Sequence, residues 1–205
     1  MSDGGWQELF AALSAWEATA VLLGIAYLLL ATREHIACWI CALLSTAIYT
    51  VLFWEHSLLM ESALNVYYMA MALYGWWRWH NGGANGATLT ITSWRPVRHF
   101  WVIGIVLMLS SLSGMFLSKY TDASWPFVDS FTTWGAVVTT WMVAWKVLEN
   151  WIYWFVIDAI SIPIYVDRGL YLTAILFGIY LVIVVIGYLS WHRDFKANHD
   201  EYARS

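Results

Sequence analysis

Charge is scarce in this chain. Of its 205 residues only 12% are Asp, Glu, Lys or Arg, while 61% are hydrophobic. Soluble domains carry about a quarter charged and about half apolar residues. The composition therefore excludes an ordinary soluble globule and fits a chain whose outer surface is solvated by lipid. No basic patch of the kind that tracks phosphates is present, and the net charge is -4, so nucleic acid is not an expected partner. Cysteine is rarer still, with Cys38 and Cys41 the only two. Their C-x-x-C spacing suggests a redox pair in a soluble βαβ setting. Inside an apolar run a thiolate is costly, so the expected role is packing. The histidines (His35, His56, His80, His99, His192 and His199) fall in loops or tails. No H-x-x-x-H pair on a span suggests a metal, and no cofactor is expected. Lysine is absent from the last apolar run, Leu170–Trp191, which excludes the Schiff base of a retinal photoreceptor. The opening Met1-Ser2-Asp3-Gly4-Gly5 lacks a basic n-region, so no cleaved signal peptide is expected.

What is present is a series of apolar runs separated by short polar clusters. Seven spans are expected: Trp16–Thr32, Ile36–Trp54, Ser57–Trp77, Phe100–Ser118, Pro126–Trp145, Trp151–Val166 and Leu170–Trp191. Each approaches the roughly 20 residues that cross a bilayer. The short amphipathic stretch Trp6–Leu13 reads as an interfacial helix. The one long connection, Arg78–His99, carries the turn signals Asn81-Gly82-Gly83 and Asn85-Gly86. The fold class is thus an all-α membrane protein.

Basic residues give its orientation. Lys119 and Arg168 fall on one side of this topology. Arg33, Arg78, Arg95, Arg98, Lys146, Arg193, Lys196 and Arg204 fall on the other. Positive residues favour the cytoplasm, so the N-terminus is expected outside and the C-terminus inside. Tryptophans cluster near the span ends, the depth that suits an indole.

The chain also resembles itself. Gly75-Trp76-Trp77-Arg78-Trp79 closes the third span as Gly187-Tyr188-Leu189-Ser190-Trp191 closes the seventh, with Tyr68 matching Tyr180. Glu34 with Trp39 matches Glu149 with Trp154 in a second register, and the loop around Trp54–Ser57 absorbs the difference. The expected organisation is an interfacial segment 1–15, a three-helix repeat 16–79, a cytoplasmic loop 80–99, a connector helix 100–118, a second repeat 119–192 and a cytoplasmic tail 193–205. The connector gives the two repeats the same orientation, as in SWEET-type carriers, whose substrate sites lie between repeats near the midplane.

Polar side chains inside spans are expensive and usually functional. Glu61, Asn65 and Tyr68 share one face of the third span, at i, i+4 and i+7. Trp151, Trp154 and Asp158 share one face of the sixth. Asp129, Thr133 and Thr140 form a stripe on the fifth, and Ser45 and Tyr49 lie one turn apart on the second. For Ser45, Thr133 and Thr140 the plainer role is hydrogen bonding between helices. Paired indoles offer π-faces to a planar cation, a carboxylate adds Coulomb attraction, and an Asn suits a carboxamide or sugar hydroxyls. The set fits a planar, hydrogen-bonding, cationic solute with a polar tail.

Three other classes compete with a carrier. An intramembrane hydrolase needs a nucleophile with a base, or paired Asp. Asp129 and Asp158 sit among aromatic or hydroxyl neighbours without a protease motif, so no enzyme is expected. The photoreceptor fails for want of its lysine. A membrane subunit without transport leaves the midspan polar faces unexplained.

Several segments resemble the PnuC family of nicotinamide riboside transporters. They are Asn65-Val66-Tyr67-Tyr68, Trp151-Ile152-Tyr153-Trp154, Trp125-Pro126-Phe127-Val128-Asp129, Glu149-Asn150-Trp151 and Tyr74-Gly75-Trp76. Their order and spacing carry the resemblance over roughly Trp16 to Trp191. It implies a 3+1+3 helix fold in the bacterial inner membrane, facilitated diffusion and a homotrimer. It also implies metabolic trapping, in which a cytoplasmic kinase phosphorylates the arriving riboside. Carried onto this chain it makes Asn65, Tyr68, Trp151 and Trp154 substrate-site candidates, beside Asp158, Glu61, Asp129 and Tyr49 from the polar faces. Relatives thought to carry thiamine or riboflavin leave the choice of vitamin open.

Overall fold

In lipid a backbone must satisfy its own hydrogen bonds, which leaves helices as the structure available to these apolar runs. A computed structural model describes residues 15–55, 59–83, 89–121, 124–167 and 169–202. Seven helices follow in order: α1 (Ala15–Thr32), α2 (Cys38–Glu55), α3 (Leu59–Asn81), α4 (Pro96–Tyr120), α5 (Pro126–Ala144), α6 (Asn150–Asp167) and α7 (Tyr171–Tyr202). The expected interfacial stretch Trp6–Leu13, the Asn85-Gly86 turn and Arg168 lie outside the described residues.

Each expected span contains a helix, with changes at the ends. Helix α4 starts at Pro96 because Arg95 is extended (φ -64°, ψ 145°) and proline fits the first helical position. Helix α3 runs on to Asn81, and α7 continues to Tyr202, through the boundary expected before the tail. Among the described residues four helices are long and apolar enough to cross a membrane: α1, α2, α4 and the Thr173–Asn198 stretch of α7. The other three, α3, α5 and α6, have 23, 19 and 18 residues. They carry most of the polar groups singled out above.

The chain divides into two compact units, Met1–Trp76 and Trp77–Ser205. The division falls inside α3 because its last turn packs within the second unit. There Arg78 lies 4.1 Å from the Trp145 ring centroid, and the Trp79 indole N–H donates to the Val143 carbonyl at 3.2 Å.

In the first unit α1 packs on α2, and the Ser45 hydroxyl donates across the seam to the Ala20 carbonyl at 2.8 Å. The Ser62 hydroxyl ties α3 to α2 through the Thr50 carbonyl at 2.9 Å. In the second unit α4 packs on α5, α5 on α6 and α6 on α7.

The turns that reverse the chain are alike in both units. After α1, Glu34 takes a left-handed φ of 52°. The His35 N–H then reaches the Leu30 carbonyl and the Glu34 N–H the Ala31 carbonyl, each at 3.0 Å. This is the Schellman arrangement, which satisfies helix-end carbonyls. After α5, Lys146 has φ 48°. The Val147 N–H reaches Met142 and the Lys146 N–H reaches Val143, both at 3.0 Å. A non-glycine residue there costs about 1–2 kcal/mol, offset by closing the turn within its unit.

Tryptophan and glycine repeat the likeness. The Trp39 ring, 2% exposed, occupies the space where a Cβ on Gly75 would stand. The Trp151 ring, 1% exposed, does the same at Gly187, with the added Cβ only 2.7 Å from Cη2. Glu34 to Lys146, Trp39 to Trp151 and Gly75 to Gly187 are all separated by 112 residues (146 − 34, 151 − 39, 187 − 75). The sequence pairing of Trp39 with Trp154 is therefore three residues out of this local register (154 − 39 = 115).

Gly187→Ala is expected to lower the thermal midpoint in detergent, at a cost of about 1–3 kcal/mol for overpacking. Gly178, with nothing within 4 Å of an added Cβ, is the control. Gly178→Ala is expected to leave the midpoint unchanged or raise it, by up to about 1 kcal/mol of helix propensity. Equal midpoints for the two variants would refute the indole contact.

Candidate substrate site

The two units contribute separate sets of polar groups. In the first, α3 buries one stripe toward α2, with Ser62, Asn65, Ala72 and Gly75 along it, while Val66 and Leu73 face outward. Asn65 is 9% exposed. Tyr68, half-buried, lies 5.7 Å centroid to centroid from Tyr67. On α2 Tyr49 is half-buried and stacks on Phe53 at 5.5 Å. The helix position of Glu61 is as expected, while its side chain lies outside what is described.

In the second unit the W-x-x-W pair separates into two roles. Trp151 is buried against Gly187 and meets Trp191 edge-on, with ring centroids 5.4 Å apart. Trp191 in turn lies 6.2 Å from Trp79. These rings fill the packing between helix ends. Trp154, three residues on, is only half-buried. One further turn along α6, Asp158 is 4% exposed. Its carboxylate has no hydrogen-bond or ion-pair partner among the described residues. Ser161 does not supply one, because its hydroxyl donates to the Ile157 carbonyl at 2.8 Å. Burying a carboxylate without a partner is expensive, which makes Asp158 a functional-site candidate. Asp129 is half-buried in the first turn of α5, where the helix dipole favours a negative charge.

Of the three hydroxyls expected to bond between helices, Ser45 does so, while Thr140 bonds within its own helix. Ser45 bonds across to α1, and Thr140 donates to the Ala136 carbonyl of its own helix at 2.8 Å. Thr133 is exposed. No group of three or more potential metal ligands occurs among the described residues.

Sequence reasoning missed a second polar cluster in this unit. It joins the residues before α4 to the α5–α6 turn. Thr92 accepts from the Leu148 N–H at 2.8 Å and donates its own N–H to the Lys146 carbonyl at 2.9 Å. Glu149 accepts from the Ser93 hydroxyl and from the Trp94 backbone N–H. A loop of this kind has no periodicity. The one available signal was Glu149-Asn150, noted above only as part of a family likeness.

A sequence profile described as nicotinamide mononucleotide transporter matches residues 14–193. The chain belongs to that family. The nicotinamide riboside transporter PnuC of Escherichia coli is 25% identical to this family member over 205 residues, covering 87% of this chain and 85% of its own. The riboflavin/roseoflavin transporter RibM of Streptomyces davaonensis is 24% identical over 175 residues, covering 83% and 81%. The crystal structure of the vitamin B3 transporter PnuC shares the fold, with a TM-score of 0.74 at 18% identity, over 92% of this chain and 85% of that one. Membership of a transporter family agrees with the expectation that this family member is not an enzyme.

The two α6 tryptophans can be separated by experiment. Trp151→Ala is expected to cost about 3–5 kcal/mol, as for large core aromatics, and to lower the yield of folded, monodisperse protein. Trp154→Ala is expected to shift the thermal midpoint by no more than a few degrees. The reverse order in a melting experiment would overturn the division of roles.

Proposed function

We propose that the chain is a carrier of nicotinamide riboside across the bacterial inner membrane, working by facilitated diffusion. The observation that carries this reading is Asp158, a buried carboxylate without a partner among the described residues, one turn from the half-buried Trp154. Nicotinamide riboside is a pyridinium cation with a carboxamide and a ribose. An indole face adds about 0.5–2 kcal/mol of attraction for such a ring, and Asp158 supplies the counter-charge. Asn65 suits the carboxamide, with two donors and an acceptor. Tyr68 serves the ribose, and Glu61, Tyr49 and Asp129 are the further substrate-site candidates. Trp151 holds α6 in place rather than touching the cargo.

All seven helices span the membrane in this reading, with α1–α3 and α5–α7 as parallel repeats and α4 as connector. The shared spacing of 112 residues supports the repeats, and the basic residues support an outside N-terminus. The carrier is a homotrimer. Phosphorylation by a cytoplasmic kinase, without required contact, keeps the gradient inward.

The resemblance to RibM favours riboflavin as a second reading. Its isoalloxazine ring is neutral and leaves Asp158 without a counter-ion, so the pyridinium is preferred. The same carboxylate disfavours the mononucleotide, whose phosphate is an anion.

Calorimetric titration with nicotinamide riboside, thiamine and riboflavin tests the cargo. Micromolar binding of the riboside alone is expected, weakened roughly 10- to 100-fold in Trp154→Ala by the loss of about 1–3 kcal/mol of stacking. Binding of another vitamin would replace the cargo but keep the carrier. No binding by folded protein would favour a subunit without transport.

Liposome uptake tests the passive mechanism. The rate is expected to ignore an imposed proton gradient at constant membrane potential. Acceleration by that gradient would show proton coupling and end the facilitated-diffusion reading.

A further inference from the structure

The residues ahead of α4 form a strap fastened across the start of α6. Backbone bonds at Thr92 give it a one-residue parallel bridge to Val147. Trp94, 9% exposed, then packs with Met142 and Val147, and its ring lies 5.7 Å from that of Trp141. The polar fastening is Glu149, which immediately precedes α6 and whose carbonyl accepts from the Ile152 and Tyr153 N–H groups of its first turn. One carboxylate oxygen accepts from the Ser93 hydroxyl. The other accepts from the Trp94 N–H at 3.3 Å and lies 3.8 Å from His99 Nε2. One turn further along, the Tyr153 hydroxyl is 2.9 Å from His99 Nδ1. The strap and the first turn of α4 are thus joined to the start of α6 at Glu149 and, four residues on, at Tyr153, which immediately precedes Trp154.

We infer that Glu149 is a positioning residue for the transport site, setting the azimuth and depth of Trp154 through this clasp. The inference rests on the proposed role of Trp154. Trp151 fixes how close α6 lies to α7, because its ring lies against Gly187. An indole seated on a bare backbone does not by itself fix rotation of α6 about its axis. The clasp supplies that restraint, since Glu149 holds the strap and Tyr153, four residues on, holds His99 in the first turn of α4, into which the strap leads. The charge matters as well as the shape. A carboxylate accepts both bonds with charge assistance, which makes each roughly twice as strong as a neutral one, whereas a glutamine amide keeps a single acceptor oxygen and gives up the charge.

The test uses full-length protein in detergent, with nicotinamide riboside and riboflavin as probes. Whichever probe the wild type binds is titrated into Glu149→Gln, Ser93→Ala and Ser93→Thr. Dissociation constants are expected to rise about tenfold for Glu149→Gln and about threefold for Ser93→Ala. Ser93→Thr, which keeps the hydroxyl, should restore wild-type binding. Hydrogen exchange over 150–158, without cargo, is expected to quicken in Glu149→Gln while exchange in α1 and α2 stays the same. Binding within twofold of wild type in both Glu149→Gln and Ser93→Ala, with unchanged exchange, overturns the clasp. If Glu149→Gln fails to fold, Ser93→Ala against Ser93→Thr decides. If wild type binds neither probe, the cargo reading fails, and the exchange result alone supports or overturns the clasp.

Discussion

In each unit a large indole is laid on a helix that has no side chain at that point. Trp39 on Gly75 and Trp151 on Gly187 bring two helices closer than any Cβ would allow. Helices in lipid gain little from hydrophobic transfer, so association depends on close packing and interhelical hydrogen bonds. The contacts around these rings follow from that closeness. Trp191 meets Trp151 edge-on and reaches Trp79, which draws the end of α3 into the second unit. The left-handed turns at Glu34 and Lys146 place the following helix so that its tryptophan, five residues on, meets the glycine.

Hydropathy is divided among the helices in a way that suits a carrier. Helices α1, α2, α4 and much of α7 are apolar enough to face lipid on several sides. Helices α3, α5 and α6, outside that group, hold Asn65, Asp129 and Asp158. A polar group needs neighbours other than lipid, so helices of this second kind belong where protein or a passage covers them. Pro163 interrupts the backbone bonding of α6 beyond Asp158. The stretch from Trp154 to Asp158 thus lies between a clasped helix start and a weakened later turn.

The helices were legible because a run of apolar residues between polar clusters has one structural solution in lipid. Their ends were less so. Pro96 opens α4 ahead of the apolar run, and α7 continues through charged residues that hydropathy reads as a tail. Within the candidate site the face shared by Trp151, Trp154 and Asp158 was legible from spacing alone. The different burial of its two tryptophans was not, because burial depends on Gly187, thirty-six residues beyond Trp151 (187 − 151). The Glu149 cluster was hidden for another reason. Its donors lie in an irregular segment more than fifty residues away, and no period reveals such a contact.

The last helix is longer than a membrane needs. Its 32 residues extend about 48 Å at 1.5 Å per residue, against a hydrocarbon core of about 30 Å. About 18 Å is left over, by the difference of those two lengths. A small transporter buried in a micelle offers little for single-particle imaging to align. A rigid protein fused in helical phase after Tyr202 would inherit the direction of α7 and stand clear of the detergent. The continuous helix thus gives this chain a built-in mast for a fiducial.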